Sequence, residues 1–174
     1  FLPYCNPREK GFGVSVNFTN HACMDLALVV DRKTGRRFMD EHAGRKIKSD
    51  ALFKVIGTDE NYPIAVCDDS IVKAINPSFV KLPLEMGTVK KFDTLKDLAA
   101  GYGIDYATLE KTNETFNGYM KAMKDPEFDC MFFKGASVND KGPFYGVRLW
   151  PRVHHCMGGL ETVSYTHLRA HETG

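Results

Sequence analysis

PRVHHCMGGL, Pro151–Leu160, is the stretch on which the rest of the chain turns. Two adjacent histidines, a cysteine, a methionine and two glycines share a span too short for an ordinary core element. Gly158-Gly159 removes two Cβ atoms, so the backbone can take left-handed angles and bring its N–H groups close to a flat or anionic ligand. Just before it, His154 and His155 offer ring nitrogens that carry charge near neutral pH and can hold a carboxylate. Taken as residues alone, the same letters also describe a plain Gly-Gly turn beside surface or core histidines.

Composition narrows the classes. With 43% hydrophobic and 26% charged residues over 174 positions, the chain has the make-up of a globular protein able to bury one sizeable core. A net charge of +1 gives no electrostatic case for nucleic acid. No apolar run has the length of a membrane span; the longest, Leu26–Val30, is strand-sized. Five scattered cysteines without a CxxC argue against a zinc site, a disulfide framework and a covalent haem, so no metal ligand is expected. The opening FLPYCNP is not a signal peptide, and the chain reads as an internal piece of a longer protein, from cytoplasm or periplasm. The closing Ser164–Gly174 has no apolar period and reads as a non-native tail, so His167, Arg169 and His171 are set aside.

Periodicity supplies the elements. GFGVSV at Gly11–Val16 is not a dinucleotide fingerprint, since Val16 holds the third glycine position. Asp25–Val30, the turn letters Asp31, Lys33, Thr34 and Gly35, and then Arg37-Phe38 predict a β-hairpin. Ile47, Ala51, Leu52, Val55 and Ile56 recur at helical spacing, predicting a helix over 46–56. Tyr62–Cys67 is a buried-strand pattern, and Asp68-Asp69 after it suits helix capping better than acid/base or metal chemistry. A Pro-rich connector, Asn76–Gly87, leads to a capping box at Thr94–Asp97 and a helix closed by Gly101 and Gly103. Asp105 caps a second helix with Leu109, Phe116, Met120 and Met123 on one face. Glu127–Gly142 reads as an irregular crossing. Pro143–Trp150 reads as a strand, with Tyr145, Val147 and Leu149 on one face, that Pro151 stops.

Two motifs carry a resemblance. HHCMGG, together with Arg37-Phe38-Met39-Asp40-Glu41 and the arginine after it, resembles the fumarate reductase, flavocytochrome c and succinate dehydrogenase flavoprotein family, whose typical forms are HHTMGG and RFMNE. The resemblance implies an α+β fold: a capping domain over 43–147, set between pieces of an FAD-binding α/β domain at 1–42 and 148–163, with the tail at 164–174. It implies FAD as cofactor, with His155, Met157, Gly158 and Gly159 beside the flavin. It implies that His154 and Thr19 bind the substrate and that Arg45 is catalytic, donating a proton to the substrate carbon. A guanidinium is an unusual acid, because its pKa lies far above neutrality, and it suits only a strongly basic acceptor.

The implied reaction is reduction of the C=C bond of a small unsaturated carboxylic acid, fumarate- or urocanate-like, fed by a cytochrome or a flavin or quinol partner. Cys156 stands where the family commonly has Thr, and Thr19-Asn20 where fumarate reductases have Thr-Glu. Read without the family, Arg45 is the i+4 ion-pair partner of Glu41. Two other classes stay open: a flavin dehydrogenase of the 3-ketosteroid type, which would use tyrosines near the flavin in place of the His and Arg pair, a role for which Tyr119 and Tyr145 are poorly placed, and a non-catalytic α+β binding domain.

Overall fold

The computed structural model describes residues 2–4, 10–11, 13–23, 27–57, 61–132 and 139–152. His154, His155, Met157, Gly158, Gly159 and the tail lie outside them. The elements in order are β1 (Leu2–Tyr4), α1 (Val16–Phe18) running into a π-helix (Thr19–Cys23), β2 (Leu28–Asp31), α2 (Arg45–Ile56), β3 (Pro63–Asp68), α3 (Asp69–Ala74), α4 (Ser78–Glu85), β4 (Val89–Phe92), α5 (Leu95–Tyr102), α6 (Tyr106–Ala122), β5 (Phe144–Arg148) and β6 (Trp150–Arg152).

The fold is α+β. Its centre is a four-stranded sheet in the order β2-β3-β5-β4, antiparallel throughout, with Val66 opposite both Leu28 and Gly146. β2 is an edge strand of this sheet although it precedes residue 42. Strand residues alternate between two cores, because successive side chains leave opposite faces. Val29, Ala65, Cys67, Tyr145 and Val147 pack with Phe18, Ala22, Met39, Leu52, Ile56, Ile71 and Val72. Leu28, Val30, Ile64, Val66 and Phe144 pack on the other face with Leu98, Tyr102, Leu109, Phe116 and Met120. The result is helix on both sides of a sheet: α2 and α3 on one side, α5 and α6 on the other.

Local chemistry explains the helix starts. Asp68 Oδ1 accepts from Ser70 N and Ile71 N (3.0 and 3.1 Å), while its Oδ2 accepts from Asp140 N and Lys141 N (3.2 and 3.0 Å), so one buried carboxylate caps α3 and holds the returning chain. Thr94 and Asp105 cap α5 and α6 through Asp97 N and Thr108 N. α5 ends at Gly103 in the left-handed region (φ 68°), where its N–H reaches Ala100 O; Gly101 lies within the helix and does not end it.

Four further expectations need correction. The Pro-rich connector contains α4: Asn76 Oδ1 accepts from Ser78 N (3.0 Å), Pro77 suits a helix start, and Val80 and Leu84 pack on the core. Met123 leaves the α6 face because it occupies the left-handed cap position (φ 53°), and its side chain is exposed. The hairpin after β2 has almost no second arm, only a bridge from Val30 to Arg37 behind a turn closed by Asp31 N to Arg36 O (2.9 Å). Pro151 does not stop extended chain: β6 continues through it and pairs antiparallel with β1, Pro3 opposite Pro151. Among the described residues no helix is long and apolar enough to cross a membrane.

Candidate functional site

The segment between β2 and α2 carries the site. From Arg37 to Glu41 the chain alternates, with Arg37, Met39 and Glu41 buried and Phe38 and Asp40 half-buried. Arg37 forks onto Glu41, Nε to Oε1 at 2.9 Å and Nη2 to Oε2 at 2.6 Å, and Nη2 also reaches Asp125 Oδ2 at 2.8 Å. Phe116 and Phe128 lie 4.6 and 5.0 Å from the guanidinium carbon. Burial alone would lower the affinity of Arg37 for its proton, but its hydrogen bonds to the two carboxylates hold it above the ordinary arginine value. Burial pushes the Glu41 carboxyl up, and the Arg37 fork pulls against it without cancelling it. Burial acts upward on Asp125 too and is the largest single influence, but the Arg37 hydrogen bond and charge together with the backbone N–H groups of Glu127 and Phe128 outweigh it, and the carboxyl sits below its usual range. A paired, forked guanidinium is the arrangement that lets charges stand in a core.

This settles the alternative partner for Arg45. Glu41 is 1% exposed and faces inward to Arg37, so the Glu41–Arg45 surface ion pair is not formed. Arg45 is the first residue of α2, directly after Gly44, which supplies no side-chain cap. It is exposed and has no ion-pair or hydrogen-bond partner among the described residues. Cations are disfavoured at a helix N-terminus, where the peptide dipoles already present positive charge. Arg45 and the free N–H groups of the first turn therefore make one positive end, suited to an anion.

Thr19 opens the π-helix and is fully buried, and its Oγ1 has no hydrogen-bond partner among the described residues. The π-helix and α2 both pack against β1 and β3, and α2 also packs against β6, the strand that leads to His154. Tyr145, by contrast, is a core residue whose OH donates to Asp69 Oδ1 (3.3 Å), with burial pushing its phenol up to about 12.

An unsatisfied buried hydroxyl at Thr19 and an unpaired guanidinium at Arg45 both await an acceptor. Gly11 of GFGVSV, however, faces protein: a Cβ there would lie 2.8 Å from Met86 Cβ and 3.2 Å from Thr88 Cγ2. No phosphate cradle exists at that glycine.

Residues 7–173 match a family described as FAD binding domain. The chain belongs to this FAD binding domain family. Within the family, it is 30% identical over 172 residues to the acrylate reductase flavoprotein subunit of Shewanella woodyi, covering 99% of this chain and 34% of that protein. It is 37% identical over 132 residues to the NADH:acrylate oxidoreductase of Vibrio harveyi, covering 74% of this chain and 12% of that one. Among solved structures it resembles the open conformation of a flavocytochrome c3 fumarate reductase, at 25% identity and a TM-score of 0.66, covering 90% of this chain and 26% of that chain. The chain thus spans about a third or less of the length of the proteins it matches. This FAD-binding flavoprotein is related to acrylate and fumarate reductases, and FAD binding is a property of its family.

Two features of the site had no signal in the sequence. Asp125 and Glu127 join the RFMDE segment from 88 and 90 residues away, and Cys130 approaches His42 from 88. Only the chain's path in space brings them together.

Proposed function

We propose that this chain is the substrate-side portion of a flavin reductase that saturates the C=C bond of a small unsaturated carboxylic acid, its lid at 43–147 set between flavin-domain pieces at 1–42 and 148–163. FAD, when bound, supplies the hydride. Arg45 protonates the neighbouring carbon, His154 anchors a substrate carboxylate, Thr19 donates to the substrate from its buried hydroxyl, and His155, Met157, Gly158 and Gly159 line the cofactor. The supporting observation is Arg45 itself: exposed, unpaired, at the helix end least hospitable to a cation, beside a glutamate already committed elsewhere. A fixed cation there stabilises the negative charge that hydride arrival leaves on the substrate and delivers a proton to a carbanion basic enough to take it. Lid closure would exclude water from that carbanion.

The test is steady-state reduction of fumarate, acrylate and urocanate by the full-length protein with a reduced viologen donor. Arg45→Ala should lower kcat by about 100-fold or more, the scale of a positioned proton donor, while His154→Ala should act mainly on KM. Wild-type kcat in Arg45→Ala would sink the reading.

A further inference from the structure

Three metal-binding side chains meet at the edge of the site, and the proposed reduction gives none of them a role. Asp40 and His42 lie on the turn after the Arg37 fork, and Cys130 lies on the loop beyond α6. The turn is held by two hydrogen bonds: Asp40 Oδ1 accepts from His42 N at 2.8 Å, and Ala43 N reaches Asp40 O at 3.2 Å. His42 Nδ1 stands 2.9 Å from Cys130 Sγ, and one ligand atom from each of the three residues lies within 4.8 Å of the others. In a tetrahedral zinc site, sulfur and nitrogen ligands at their usual bond lengths are about 3.5 Å apart, so a small opening of this cluster admits the ion.

We propose that Asp40, His42 and Cys130 bind a Zn2+-class divalent cation. A thiolate, an imidazole and a carboxylate are the donor set that borderline-soft metals prefer over Mg2+ or Ca2+. Thiolate and carboxylate together neutralise the dication. Binding releases one proton, from the Cys130 thiol to solvent, with no change of oxidation state. Asp40 and His42 are half-buried, which leaves an approach for the ion and a fourth position for water. The cation would tie the turn leading into Arg45 to the loop after α6, a second cross-link beside the Arg37–Asp125 bond. The site stands or falls independently of the reductase reading.

The experiment uses full-length, FAD-loaded protein stripped with chelator, titrated with Zn2+ against a chromophoric chelator and with Co2+ while its d–d bands are followed to the red of the flavin. One Zn2+ per site is expected, with tetrahedral Co2+ bands. Cys130→Ser and His42→Gln should each weaken binding about tenfold or more, while Asp50→Asn, an exposed carboxylate on α2, should bind as the parent does. Zn2+ should raise the melting temperature of the parent and not of His42→Gln. Should Cys130→Ser fail to fold, His42→Gln and Asp40→Asn decide. Absence of Zn2+ binding in the parent, or binding unchanged in the ligand variants, overturns the proposal.

Discussion

Arg37 Nη2 donates to Asp125 Oδ2 at 2.8 Å, joining the segment that precedes α2 to the loop that follows α6 through two side chains that are both almost wholly buried. The same guanidinium forks onto Glu41, so its loss strands two carboxylates in the core. Removing one partner of such a group costs about 3–5 kcal/mol. Arg37→Ala should lower stability by that amount in urea unfolding of the full-length protein. Arg37→Lys should recover only part of it, since an ammonium cannot fork. An Arg37→Ala protein as stable as the parent would show that the cluster contributes nothing.

Acid should act on the same cluster with a definite sign. The folded Asp125 carboxyl lies below its ordinary range, so its contribution is complete above the unfolded value of about 3.9 and is lost as pH falls through the lower, folded value. Glu41 runs the opposite way, its carboxyl being raised. Comparison with Asp125→Asn isolates the first effect. The melting-temperature gap between parent and variant should be widest above about pH 5 and close below about pH 4; a gap that widens on acidification contradicts the assignment.

Tyr102 and Gly146 meet face to face between α5 and β5. A Cβ built at Gly146 falls 2.4 Å from Tyr102 Cε2, and that ring is itself held edge-on by Phe92 at 5.7 Å. Gly146→Ala should therefore destabilise by about 1–3 kcal/mol through overpacking. Adding Tyr102→Leu should return part of the loss, a coupling that a double-mutant cycle measures. Strictly additive effects would mean that the two do not share the space.

What was legible in the chain was what neighbours in sequence decide. Asp68, Thr94 and Asp105 announce their helices because a cap and its N–H groups lie within three residues of each other, and β3 announces itself as an unbroken apolar run. Arg45 is placed at the head of α2 one residue earlier than the periodicity predicts, since that periodicity begins only with the apolar positions. Tertiary choices had no local signature. Nothing adjacent to Asn113 and Asn117 says that both donate to Asn139 O, at 2.7 and 3.0 Å, while Asn139 N donates back to Asn117 Oδ1 at 2.8 Å. Nor does Pro83 advertise that a helix tolerates it in its last turn. The i+4 spacing of Glu41 and Arg45 misled for a related reason: Arg37 competes for the same carboxylate at the same spacing and lies on the buried side. Of the substrate and cofactor residues inferred from resemblance, Thr19 and Arg45 fall among the described residues, and His154, His155, Met157, Gly158 and Gly159 fall outside them.

β1 and β6 run side by side, Tyr4 opposite Trp150, although nearly the whole chain separates them. Everything between is an excursion that departs and comes home at one doorway, with its ends one strand spacing apart, about 4.8 Å. Such a span is exchangeable as a cassette: recombination that cuts in these two strands leaves the host's backbone pairing intact and imports the proposed lid together with the flavin-domain piece proposed to precede it. Swapping the interval between Tyr4 and Trp150 into a related reductase should give a folded chimera with altered acid preference, detectable as a changed ratio of kcat/KM values between two substrates.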